Sequence, residues 1–155
     1  MSENNIKIIG IANDHAGYEL KTKVVEYLSE NNYEVRDYGA FSSESVDYPD
    51  YAHILADAIL GGECDTGIAI CCTGNGINMT ANKYSEIRSA LCWHPEISRL
   101  SRAHNNANVC ALPAHFISDD TAYSILDAFL NTPFDNGRHE RRVQKISKKP
   151  KVYSK

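Results

Sequence analysis

Thr66-Gly67-Ile68-Ala69-Ile70-Cys71-Cys72-Thr73-Gly74-Asn75-Gly76 decides the fold class. Residues 66–72 are a short apolar run, the signature of a strand buried on both faces. The Thr-Gly-Asn-Gly turn breaks the run, and residues 77–83 resume at helical spacing. A buried strand, a glycine turn and a helix in succession make half of a βαβ unit.

The same alternation runs outward in both directions. Upstream, residues 7–12 (KIIGIA) and 34–38 (EVRDY) read as strands. Residues 17–31 form a helix between them, with Leu20, Val24, Tyr27 and Leu28 on one stripe. Asp47-Tyr48-Pro49 opens a second helix, since Pro is favoured in a first turn, and Gly61-Gly62 closes it. Downstream, residues 88–93 and 108–112 read as strands. Residues 95–104 are expected to be helical with Ile97 and Leu100 turned inward, followed by helices at 119–130 and 138–146. Strands alternating with helices imply a mostly parallel sheet covered on both faces. No repeat or internal boundary interrupts residues 1–146, read as one domain, and residues 147–155 read as a basic tail.

Composition narrows the function. The chain has 155 residues, 43% hydrophobic and 23% charged, which fits one ordinary globular domain. No apolar run suffices for a membrane span, and the first ten residues lack the features of a secretory signal. The five cysteines include no CxxC pair and no paired zinc spacing. They are read as free thiols in a reducing compartment, so a cytoplasmic location is expected, with no metal and no cofactor. From Gly137 to Lys155, eight basic residues face one acid, a net +7. The whole chain carries −4, which leaves −11 on the residues before that stretch. An acidic body repels polyanions, so nucleic acid and membrane are not expected as partners. A small anion suits the basic segment better, and Arg138 and Arg142, four residues apart, can clamp a phosphate from one helix face.

In parallel sheets ligands bind beyond the carboxyl ends of the strands. After the central strand, the Gly74 and Gly76 turn lets backbone N–H groups approach an anion. Nucleotide motifs fail here: Met79 stands where GxGxxG needs its third glycine. Cys71 closes the strand at the mouth of this turn, where amide donors and a helix start are expected to lower its thiol pKa. A buried strand cysteine is the plain alternative. Cys72 points to the other side. After the first strand, Asp14 is either a helix cap or a ligand contact, and His15 beside it can meet an anion. His104 ends a helix just before the fifth strand, as a structural or a chemical group.

Taken together, Asp14-His15-Ala16-Gly17, Asp47-Tyr48-Pro49, residues 71–76, Ala81-Asn82-Lys83, Ser101-Arg102-Ala103-His104-Asn105 and residues 137–143 resemble the ribose-5-phosphate isomerase B family. The wider family includes galactose-6-phosphate and allose-6-phosphate isomerases. The likeness extends from about Ile6 to Ile146. It implies an α/β fold, a three-layer α/β/α sandwich with a five-stranded parallel Rossmann-like sheet. It also implies a metal-independent aldose–ketose isomerase of a sugar phosphate, acting as a homodimer (or a tetramer) whose sites are shared between subunits. By position, Cys71 matches the base and His104 the ring-opening group, with Thr73 in the catalytic set. Asp14, His15, Tyr48, Cys72, Gly74, Asn75, Gly76, Asn105, His115, Arg138 and Arg142 match substrate contacts.

Two positions depart from the family pattern. Cys72 stands where glycine is usual, and His115 where an arginine often serves as a third phosphate ligand. A Cys72 side chain leaves less room for a six-carbon sugar phosphate, the alternative substrate. A non-catalytic sugar-phosphate sensor on this fold would need neither Cys71 nor His104, and both are present.

Overall fold

The structure, a computed structural model, describes residues 6–148. Of the basic tail, residues 149–155 lie outside the described residues. Five parallel strands, β1 (Ile8–Asn13), β2 (Glu34–Asp37), β3 (Thr66–Cys71), β4 (Ser89–Leu91) and β5 (Val109–Pro113), form one sheet in the order β2-β1-β3-β5-β4. The connecting helices are α1 (Tyr18–Glu30), α2 (Tyr48–Leu60), α3 (Asn75–Ala81), α4 (Pro95–Asn105) and α5 (Asp119–Asn131), and α6 (Arg138–Lys145) follows.

Alternation along the strands builds two apolar layers. Ile9, Ile11, Ile68, Ile70, Cys110 and Leu112 pack with Leu20, Val24 and Leu28 of α1 and Ile125 and Phe129 of α5. Ala12, Ala69, Cys71, Val109 and Ala111 pack on the opposite face with Leu55 of α2 and Ile77 of α3. The expected three-layer α/β/α sandwich is therefore what forms. The small residues on the second face matter, because they let α2 and α3 sit close to β3 and bring the turn between them over Cys71. Among the described residues no helix is long and apolar enough to cross a membrane.

Three local readings are corrected. Ile97 is 37% exposed, not inward. α4 meets α5 instead through Ser98 and Ser101, with Ser98 Oγ donating to Ile125 O at 2.8 Å. Small hydroxyl residues that bond backbone carbonyls make a tighter seam than an isoleucine would. α3 begins at Asn75, two residues earlier than expected, because Gly74 adopts a left-handed φ of 72° and turns the chain directly into the helix. A 3-10 turn, His15–Gly17, precedes α1, so the helix expected from residue 17 begins at Tyr18.

Candidate active site

At the carboxyl edge of the sheet, β1 and β3 leave a crevice where the strand order reverses. Asp14 is buried there and does cap the following turn, with Oδ1 accepting from Gly17 N at 3.1 Å. His15 Nδ1 lies 3.1 Å from Val46 N and 3.2 Å from Val46 O, which ties the loop before α2 to the end of β1. Tyr48, the first residue of α2, lays its ring on the Gly76 backbone. A Cβ built on Gly76 would come within 2.4 Å of the Tyr48 Cζ. Thr73 Oγ1 accepts from Asn75 N at 3.2 Å and shapes the turn.

Cys71 is 4% exposed beneath this turn. Its pKa departs from the sequence-based expectation. Burial pushes the thiol above its ordinary 9.0, and the charge of Asp14 pushes the same way. Amide N–H groups of Ile77, Gly74 and Thr73 pull it down without prevailing. In the free protein the desolvation of a thiolate outweighs the donors that surround it. Cys72, half-buried and just past the strand, bonds with its Sγ to His115 Nδ1 at 3.2 Å. His115 is thus also on the carboxyl edge.

The remaining residues lie elsewhere. The β3–β5 register pairs Gly67 with Val109 and Cys71 with Pro113, so β5 runs from the amino edge to the carboxyl edge beside β3. α4 runs the other way and delivers His104 and Asn105 to the amino edge, a few residues before Val109. At least the length of β5, roughly 13 Å for four strand steps, separates them from Cys71. α6 joins them there. Asp135 N donates to Ala103 O at 2.9 Å, anchoring the segment that leads into α6. The His139 ring stacks on His104 with centroids 4.2 Å apart. Among the described residues neither Arg138 nor Arg142 has a carboxylate within ion-pair distance. Two unpaired guanidinium groups beside two imidazoles are groups whose chemistry suits an anion.

One chain therefore carries these residues in two groups at opposite ends of the sheet. Asp14, His15, Tyr48, Cys71, Cys72, Thr73, Gly74, Asn75, Gly76 and His115 make one; His104, Asn105, Arg138 and Arg142 make the other. A cavity of about 490 Å³ is at the amino edge, where Asn105 lines it with Asn82, Lys83, Arg88 and Ile146. Cys71 does not reach it.

His104, Asp135 and His139 offer ligand atoms within 4.8 Å of one another. Their rings, however, lie within 8° of parallel. Imidazole lone pairs lie in the ring plane, so two stacked rings direct them side by side and not at one ion. The arrangement favours stacking over ligation.

Sequence reasoning gave Asn13 no role. It is fully buried at the end of β1, donates from Nδ2 to Asp14 O at 2.8 Å, and leaves Oδ1 without a protein partner among the described residues. A polar residue closing an Ile-rich strand beside Asp14 was the available signal.

Comparison with known proteins agrees with this architecture. Residues 9–146 match the family model described as Ribose/Galactose Isomerase. Ribose-5-phosphate isomerase B of Escherichia coli is 44% identical over 142 residues, covering 92% of this chain and 95% of that protein. The crystal structure of a ribose 5-phosphate isomerase from Thermotoga maritima superposes with a TM-score of 0.90 at 52% identity, covering 92% of this chain and 98% of that one. The Mycoplasma genitalium ribose-5-phosphate isomerase B, solved with bound ribulose-5-phosphate, superposes with a TM-score of 0.85 at 39% identity, covering 90% and 93%. Matched over nearly its whole length by sequence and by fold, the chain belongs to the ribose/galactose isomerase family and is an isomerase.

Proposed function

We propose that this protein interconverts D-ribose 5-phosphate and D-ribulose 5-phosphate through a cis-enediolate, in a site built from two copies of the chain. The observation that carries the reading is the separation of the two groups of residues: Cys71 is at one end of the sheet, and His104, Arg138 and Arg142 are at the other. An isologous dimer brings the carboxyl edge of one copy against the amino edge of the other twice over.

In this reading Arg138 and Arg142 of one copy bind the phosphate, remote from the reacting carbons, and their binding energy orients the sugar. His104 transfers the proton that opens the furanose ring. The Cys71 thiolate of the other copy takes the proton from C2, leaving an enediolate with its charge on O1; the O2 proton passes to O1, and the resulting thiol returns its proton to C1 as the C2 carbonyl forms. The turn amides at residues 72–76 face the negative charge that develops on oxygen. Cys72 occupies space beside the turn, which favours a five-carbon over a six-carbon substrate. The names of the relatives support the same substrate.

Subunit complementation tests the shared site. Cys71→Ala and His104→Gln proteins are each expected to be inactive. Co-folded in equal amounts, they form hybrids with one intact site of two, restoring about a quarter of the parental activity. A mixture that stays inactive overturns the shared site. Assays of ribose 5-phosphate against allose 6-phosphate and galactose 6-phosphate test the substrate, and turnover of only the six-carbon sugars overturns that assignment.

A further inference from the structure

The two positions at which the sequence departs from the pattern of the family it resembles are in contact. Cys72 Sγ lies 3.2 Å from His115 Nδ1. Their backbones are paired as well: His115 N donates to Cys72 O at 3.1 Å, and Ala114 N to Cys71 O at 2.9 Å, so the β3–β5 ladder continues past both strands. Side chain and main chain together fix the imidazole in place. His115 is exposed, and among the described residues its Nε2 has no partner.

We propose that Cys72 is a positioning residue for His115. Its thiol donates to Nδ1, holds the ring in the tautomer that carries hydrogen on Nε2, and presents Nε2–H to a phosphoryl oxygen of the substrate. The proposal rests on the sugar-phosphate reading of the site. Its physical basis is the difference between the two side chains that can occupy position 115. An arginine is donor-only and always charged, so it meets an anion correctly in any orientation. A neutral histidine has one donor and one acceptor nitrogen, and the acceptor repels a phosphoryl oxygen. Which nitrogen holds the proton is set by the bond the other one makes. A glycine at position 72 has no group to make that bond, and a cysteine does.

Ring-nitrogen NMR of the uniformly 15N-labelled full-length protein, with His115 assigned by loss of its signals in His115→Ala, reads the tautomer directly and needs no turnover. Expected is an unprotonated Nδ1 and a protonated Nε2 in the parent, shifting to a mixture in Cys72→Ala. In kinetics, Cys72→Ala is expected to raise KM for the sugar phosphate, and the inhibition constant of inorganic phosphate, by about 3–10-fold, the worth of one hydrogen bond, with kcat nearly constant. Cys72→Ser, whose hydroxyl can donate to Nδ1, is expected to return KM towards the parental value. The double variant should match His115→Ala, since Cys72 acts only through His115, and Cys72→Ala should raise KM no more than His115→Ala does. A proton on Nδ1 in the parent, or a rise in KM for His115→Ala without one for Cys72→Ala, overturns the proposal. If ribose 5-phosphate is not turned over, the tautomer measurement still decides the role of Cys72, so the two failures are distinguishable.

Discussion

The imidazoles of His104 and His139 stack face to face, 4.2 Å between centroids and 8° from parallel, and join the end of α4 to the start of α6. A proton on either ring places a charge against the other. The His139 pKa accordingly lies below its ordinary 6.5, through desolvation first and then the charges of His104, Arg138 and Arg142, with Asp135 opposing. The unfolded chain therefore takes up this proton at a higher pH than the folded one. Stability falls as pH drops through 6.5 and levels off once the folded ring is also protonated. His139→Gln should flatten that part of the profile, as measured by urea unfolding at about pH 7 and about pH 5.5.

Cys71 gives a pH dependence on the alkaline side. Because burial raises its pKa above 9.0, the thiolate is a minor species at neutral pH in the free protein. The ratio kcat/KM reports free-enzyme pKa values, so it should climb from neutral pH and keep climbing past 9.0. Cys71→Ala should remove the rise and lower kcat by about 10²–10⁴-fold, the usual contribution of a positioned base. Initial rates of ribulose 5-phosphate formation across the pH range check both.

Gly76 and Tyr48 should be strongly coupled. Gly76→Ala forces the Tyr48 ring off the turn, since the new Cβ falls 2.4 Å from Cζ, and overpacking of this kind costs about 1–3 kcal/mol. In a Tyr48→Ala background the clash is gone. The same substitution should then stabilise by up to about 0.5 kcal/mol, because Gly76 lies in the first turn of α3 and alanine has less freedom to lose on folding. Denaturant midpoints of the four proteins give the change of sign.

Lys21 and Asp37 hold the loop beyond β2 against α1. Lys21 is 3% exposed, and its Nζ donates to Asp37 Oδ2 and to Ala40 O, both at 2.8 Å. Asp37→Ala leaves a buried ammonium with one carbonyl and should cost about 2–3 kcal/mol, below the fully buried case because the Asp37 side chain is 31% exposed. Lys21→Met should cost less. Asp37 would still accept from Gly39 N at 2.9 Å and remain partly wet. Equilibrium unfolding of the two variants gives the order.

Much of this fold was legible because its signals are local. Residues 67–71 are apolar throughout, and β3 is buried throughout. Pro49 and Pro95 stand in the first turns of α2 and α4, as their fixed φ favours. Ile97 was misread because hydrophobicity alone does not tell which stripe of α4 meets α5. That depends on Ser98 finding a carbonyl partner across the seam, while Ser101 bonds Ser98 O within α4. The Cys71 pKa was misread for a related reason: the donors around it can be counted from the turn sequence, whereas the desolvation opposing them comes from α2 and α3 closing over it.

The sequence by itself determined the alternation of strands and helices, the glycine turn after β3 and the residue types available for proton transfer and anion binding, because these follow from spacing and side-chain chemistry along neighbouring stretches of chain. Only the tertiary structure decided which of those residues meet. Parallel strands joined by antiparallel helices send the end of β3 and the end of α4 to opposite edges of one sheet, and they bring Cys72 to His115 and His104 to His139 across gaps of sequence that no local pattern spans.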